Sequence, residues 1–199
     1  MKIILDPAHG IETHGKRSPD GRFREYKWSR EMVSIISGKL KENNIDCDIT
    51  VNSDSEPGLR ERVRRTNKLS AEVNDEAIFI SIHCNAAGDG SEWMNARGFS
   101  IWTSRGKTKA DEYAEIIYNE FDKSFPDIPL RSDFSDGDPD CESNFAVLMC
   151  RIPAVLLEVL FQDNKKDVEI LESEEFKKSF CECIVNAIQV IIINYFRHG

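Results

Sequence analysis

The chain has 199 residues, 40% hydrophobic and 31% charged, which is the size of one ordinary globular domain. A chain this long buries enough surface to fold without disulfide or metal staples. Its 26 Lys and Arg stand against 35 Asp and Glu, and the net charge of −9 excludes the cation-rich surfaces that hold nucleic acid or anionic lipid.

Residues 2–5 are expected as a first strand, and their apolar run, Ile3, Ile4 and Leu5, is far too short for a signal-peptide core. Residues 10–24 are polar and aperiodic, a long loop of the kind that tends to carry function. Trp28, Met32, Ile35, Ile36 and Leu40 then recur at helical spacing. Residues 45–51 alternate apolar and polar as a half-exposed strand does, and 60–69 read as a short charged helix. Residues 77–82 and 154–160 are nearly continuous apolar runs, as strands covered on both faces should be. A strand over 98–103, a helix over 107–125 and a second aperiodic loop over 127–143 follow. Strands over 145–149 and 154–160 and a helix over 174–196 complete the pattern. This alternation predicts an α/β fold: a single mixed, mostly parallel sheet of about six strands, flanked by helices on both faces.

The apolar run from Val190 to Ile193 lies in a segment expected to be too short and too punctuated to cross a bilayer, so no membrane span is expected. Six cysteines (Cys47, Cys84, Cys141, Cys150, Cys181 and Cys183) form no CxxC pair, and Cys47 and Cys84 fall in apolar runs where cysteine packs as a small hydrophobe. These features favour synthesis in a reducing cytosol, or export with a signal peptide since removed.

Four histidines can be weighed singly. His198 near the C-terminus and His14 in the first loop are expected in solvent. His9 and His83 each follow an apolar strand, at the strand end where open α/β sheets form their ligand crevice. Two histidines merely hydrogen-bonded at strand ends are the plain alternative. Glu158 lies inside the most apolar strand of the chain, where an ionised carboxylate must be paired, hydrogen-bonded or near a cation. Glu25 opens the first helix, a placement the helix dipole alone would favour. Two histidines and one carboxylate make a three-ligand catalytic zinc set, and a further carboxylate can move protons beside it.

Five segments in order carry a specific resemblance. Residues 5–10 (LDPAHG), Glu25 at the start of an amphipathic helix, 59–67 (LRERVRRTN), 79–87 (FISIHCNAA) and 153–164 (PAVLLEVLFQDN) resemble the zinc-dependent N-acetylmuramoyl-L-alanine amidases of the Amidase_3 family. The resemblance implies one zinc held by His9, Glu25 and His83, with Glu158 as the catalytic carboxylate. It implies peptidoglycan or muropeptides as substrate, cleaved at the amide between N-acetylmuramic acid and L-alanine, with 1–199 as a single catalytic domain. Asn85 is expected to orient site or substrate, or equally to cap its strand end, and Asp6 to accept a hydrogen bond from His9. Arg62 and Asn67 match family positions but are assigned structural roles.

Ala8 and Cys84 replace small residues with small ones, whereas Leu160 replaces a frequent Gly and is expected to narrow the cleft if that Gly keeps space for substrate. Glu12 competes with Glu25 as a ligand. The other readings are a zinc peptidase or deacylase acting on a different amide, and a non-catalytic wall-binding or regulatory module. The expected location is periplasmic or extracellular at the cell wall after export, or cytoplasmic until lysis. Nothing in the sequence sets the oligomeric state.

Overall fold

The two near-continuous apolar runs form the centre of the sheet, where both faces of a strand are covered. In the computed structural model, which describes residues 1–198, β1 (Lys2–Pro7), β3 (Ala77–Asn85) and β6 (Ala154–Phe161) lie side by side and are largely buried. The full strand order is β2-β1-β3-β6-β4-β5, with β2 at Cys47–Ile49, β4 at Phe99–Thr103 and β5 at Cys141–Glu142. The first four strands in that order are parallel, β4 is antiparallel to β6, and β5 is parallel to β4. This is the mixed, mostly parallel six-stranded sheet that the sequence predicts.

Period-two alternation sorts the strand side chains into two cores. Ile3, Leu5, Ile78, Ile80, Val155 and Leu157 join the larger, closed by α1 (Glu25–Glu42), α3 (Lys109–Ser124) and α5 (Glu174–His198). Ile4, Phe79, Ala154 and Leu156 join the smaller, under α2 (Leu59–Ala71) and a 3-10 turn at Ala146–Leu148. Towards the carboxyl ends this second face turns polar. Asp6 follows Ile4, Ser81 and His83 follow Phe79, and Glu158 follows Leu156 at the same period. Strand register sets Asp6 beside Ser81 and His83 beside Glu158. The chain leaves β1 towards β2 on one side and leaves β3 towards β4 on the other, so the connections diverge at the β1/β3 junction, which is where a ligand crevice opens in such sheets.

Three expectations are corrected. Residues 145–149 form no strand: Val147 and Leu148 enter the smaller core as anchors of the 3-10 turn instead of pairing in a ladder. The sixth strand is the two-residue edge Cys141–Glu142, within the loop expected over 127–143. The C-terminal helix is longer than expected, and over Glu174–Arg197 it is long and apolar enough to cross a membrane by length and composition alone. One face of it packs against α1 and α3 through buried Phe180, Ile184, Ala187 and Ile188, while Val190, Ile193 and Phe196 are exposed. Its backbone reaches His198, whose side chain lies outside the described residues. A further helix, α4 (Lys165–Glu172), starts from the Asn164 side chain, which accepts from the Lys166 and Asp167 amides.

All six cysteines are free, and Cys47, Cys84, Cys181 and Cys183 are buried. Burial pushes the Cys47 thiol up to about 11 and Cys183 to about 12, so both are unreactive packing groups.

Candidate metal centre and active site

Each central strand delivers one polar side chain to the crevice. Just past β1 the chain turns at His9, whose φ of +47° is left-handed. The turn is held by its carbonyls. Arg30 donates to the Ala8 and His9 carbonyls at 2.9 and 2.7 Å, and Arg62 donates to the His9 carbonyl at 2.9 Å and to that of Pro7. Gly10 is required next, because a Cβ there would lie 2.2 Å from the Glu56 backbone nitrogen.

Asp6 does not accept from the His9 ring, which corrects the expectation for it. Its carboxylate accepts from Thr50, from Ser81 Oγ at 2.8 Å and from Arg62 Nη1 at 2.8 Å. Asp6 therefore acts on His9 only through Arg62. Arg62 is 2% exposed and also pairs with Glu56 at 3.0 Å. Burial opposes the Arg62 charge, but Asp6 and Glu56 outweigh it and hold the guanidinium above its ordinary value. A buried ion of this kind survives only with such partners. Asn67, the other family-matched residue on α2, accepts from the Arg151 amide at 2.9 Å, a structural contact.

Glu25, the first residue of α1, is completely buried. Its Oε1 accepts from the Cys84 amide at 3.0 Å and lies 3.2 Å from His83 Nδ1 and 3.5 Å from His9 Nε2. Its Oε2 accepts from Gln162 Nε2 at 3.0 Å. The imidazoles stand nearly perpendicular, at 85° with centroids 5.0 Å apart. One potential ligand atom from each of His9, Glu25 and His83 falls within 4.8 Å of the others. Glu12 is outside this group: it is exposed and accepts from the Glu56 amide at 3.0 Å. His14 is exposed, as expected.

Burial alone would push the Glu25 carboxyl up, but the hydrogen bond with His83 and the charges of His9 and His83 hold it below the usual carboxylate range. Burial pulls His9 down to about 4, leaving a neutral ring with a lone pair to offer. Burial also pulls on His83, but Glu25 more than offsets it and the ring stands above its ordinary value. Glu158, on the adjacent strand, is pushed up to about 7 by burial, with His83 opposing and the Glu25 charge adding. Its Oε2 is buried without a hydrogen-bond partner.

Register shifts after the His83–Glu158 pair, so that Asn85 lies opposite Phe161, and Leu160 within this irregularity takes φ +62°. That conformation is what a glycine would supply at this position. The Leu160 side chain is fully buried in the larger core, so it does not narrow the cleft. Asn85 Oδ1 accepts from the next amide, Ala86, at 2.8 Å, and its carbonyl accepts from Gln162. Asn85 thus caps its strand end, and it also lines a groove described below.

Several supporting residues escaped the sequence reading. Gln162 fixes Glu25, Arg30 fixes the His9 turn, and fully buried Asp163 accepts from the Ala87 and Gly88 amides at 2.8 Å, tying down the loop after β3. The available signal was the polar run Gln162-Asp163-Asn164 placed directly after an apolar strand.

The chain has counterparts among known proteins. The Amidase_3 family model, described as N-acetylmuramoyl-L-alanine amidase, matches residues 3–190. The chain belongs to the Amidase_3 family. Similar proteins include the N-acetylmuramoyl-L-alanine amidase CwlM of Bacillus licheniformis, 28% identical over 191 residues, 94% of this chain and 67% of that protein. AmiC of Neisseria meningitidis serogroup B is 24% identical over 94% of this chain and 51% of its own length. The chain thus spans two thirds of one relative and about half of the other. Among solved structures, the N-acetylmuramoyl-L-alanine amidase from Clostridium difficile 630 superposes with a TM-score of 0.82 at 23% identity, covering 96% of both chains. The catalytic domain of CwlV from Bacillus (Paenibacillus) polymyxa var. colistinus gives 0.75 at 23% identity, over 96% of this chain and 98% of that one. At these identities the solved structures establish a shared Amidase_3 fold.

Proposed function

We propose that this Amidase_3 protein is a zinc-dependent N-acetylmuramoyl-L-alanine amidase, hydrolysing the amide between the lactyl group of N-acetylmuramic acid and the L-alanine of peptidoglycan stem peptides. The observation that carries the reading is the fully buried Glu25 carboxyl within 3.5 Å of two imidazoles, with the partnerless Glu158 Oε2 on the neighbouring strand.

The donor set fits one zinc ion. A buried carboxylate facing a neutral imidazole and a second histidine is the composition of a three-ligand catalytic site with one position left open. When bound, zinc supplies a Lewis acid that polarises a carbonyl and lowers the pKa of water. The protein's own groups supply the rest. Glu158, balanced near neutrality and with one oxygen free, takes a proton from the attacking water and returns it to the departing L-alanine amine. The Cys84 amide and Gln162 hold the Glu25 carboxylate in one orientation, and Arg62 and Arg30 hold the His9 turn. Such a substrate places the enzyme at the cell wall, in the periplasm or outside the cell, reached by export or by lysis.

The test is mass analysis of purified peptidoglycan digested by zinc-loaded protein. Stem peptides with a new N-terminal L-alanine, released from glycan that keeps its lactyl carboxyl, are expected. Cleavage confined to bonds within the peptide would replace this reading with a zinc peptidase. Intact peptidoglycan bound by folded, zinc-loaded protein would replace it with a wall-binding module.

A further inference from the structure

A groove of about 630 Å³ begins at Asn85, two residues past His83. It passes Ser100, which lies opposite Glu158 in the β4/β6 register, and Trp102, and ends at Cys141 on the edge strand. Its floor includes Ala86, Ala87 and Ala96, small side chains that leave room for an extended chain. Arg131 is the one charged residue in its lining.

Arg131 is held in place without being neutralised. Its amide donates to the Phe99 carbonyl at 2.8 Å, Leu130 before it bridges to Phe99, and its guanidinium lies 5.3 Å over the Phe161 ring. Five acids follow in the same loop and edge strand: Asp133, Asp136, Asp138, Asp140 and Glu142. Asp133 accepts from the Ser135 amide, Asp140 from Thr103 and Glu142 from the Gly106 amide. Among the described residues no carboxylate lies within ion-pair distance of the Arg131 guanidinium. An exposed guanidinium seated over the Phe161 ring, with no carboxylate partner among the described residues, is a ready partner for a ligand carboxylate in a chain of net charge −9, and can bind it in a two-pronged fashion.

We infer that Arg131 is a specificity-determining residue that docks a carboxylate of the stem peptide, carried just beyond the scissile amide; the inference rests on the amidase reading. The chemistry of the substrate selects the peptide side. Before cleavage the lactyl carboxyl is consumed in the amide, whereas the residue after L-alanine is a glutamate linked through its side-chain carboxyl, leaving its α-carboxylate free. That group is one residue from the bond cut, and the groove that holds Arg131 is also lined by Ser100, the residue opposite Glu158.

The test compares two muropeptides that differ only in whether this α-carboxylate is free or amidated, using zinc-loaded wild-type and Arg131→Ala protein. Wild type is expected to favour the free acid by about tenfold in kcat/KM, expressed mainly in KM. Arg131→Ala is expected to cleave both at the wild-type rate for the amide and to stay folded, because among the described residues its side chain makes no hydrogen bond or ion pair and loses only its contact over the Phe161 ring. A wild-type enzyme without preference, or a variant that keeps the preference, would overturn the assignment while leaving the amidase reading intact. Failure of folded, zinc-loaded wild type to cleave either muropeptide would overturn both. An independent readout is binding of the dipeptide product to Glu158→Gln protein, where amidating the α-carboxylate should weaken binding about tenfold and Arg131→Ala should erase the difference.

Discussion

Two pairs of acids are brought together in this fold, and they meet different surroundings. Glu25 and Glu158 share the carboxyl ends of the central strands, whereas Asp138 and Asp140 share the loop beneath the β4/β5 edge. At the first site two imidazoles hold the Glu25 carboxyl below the usual carboxylate range, while burial pushes Glu158 up to about 7 with one oxygen unpartnered. At the second, Asp140 is 1% exposed and also stands at about 7, raised by burial and by Asp138, with the Thr103 hydroxyl as its donor. A carboxyl titrating near neutrality therefore does not by itself mark chemistry. The groups facing it do: nitrogen lone pairs and an open crevice at one site, a second acid at the other.

The largest expected effect comes from removing the anion at the first site. Glu25→Gln should abolish stoichiometric zinc binding and all turnover, read by metal analysis of folded protein; retained zinc would show that Glu25 is not a ligand. Next is Arg62→Ala, which strands Asp6 and Glu56 beside the His9 turn. A loss of about 3–5 kcal/mol in denaturant unfolding is expected from breaking this buried pair, and a change under 1 kcal/mol would make the pair incidental.

Leu160→Gly tests the interior reading of the strand irregularity. Lost burial outweighs relief of the left-handed φ, so a net destabilisation of about 1–3 kcal/mol with unchanged kcat/KM is expected. Altered activity at unchanged stability would instead put that side chain in the cleft.

The smallest effect belongs to the second acid pair. Because Asp140 titrates above its ordinary 3.8, the native state holds the extra proton between about pH 4 and pH 7. Stability falls as pH rises through that window, and the full penalty stands above about pH 7. Asp138→Asn should therefore stabilise the protein by about 1 kcal/mol above pH 7 and be neutral near pH 4. A pH-independent difference would show that Asp138 does not raise the Asp140 carboxyl.

Legibility in the sequence follows the same division. The strands that position His9, His83 and Glu158 are readable because each is a near-continuous apolar run: His9 falls just past its strand, His83 near the carboxyl end of its own, and Glu158 is the one carboxylate inside its run. Glu25 was recognisable only by family position, since a helix-opening acid is ordinary by itself. Asp6 was assigned to His9 from proximity in sequence, but its partners Thr50, Arg62 and Ser81 are 44, 56 and 75 residues away. Residues 145–149 have strand composition, yet they are anchored by two side chains in the smaller core, and periodicity cannot separate those outcomes in a five-residue run. The edge strand Cys141–Glu142 is paired only to β4 and has no apolar pattern to find.

The most direct measurement is turnover of a defined muropeptide by Glu158→Gln protein, with zinc content determined in the same sample. About one zinc per chain with turnover lowered at least about a hundredfold is the predicted result. Zinc-loaded Glu158→Gln protein that cleaves at the wild-type rate would contradict the role of Glu158.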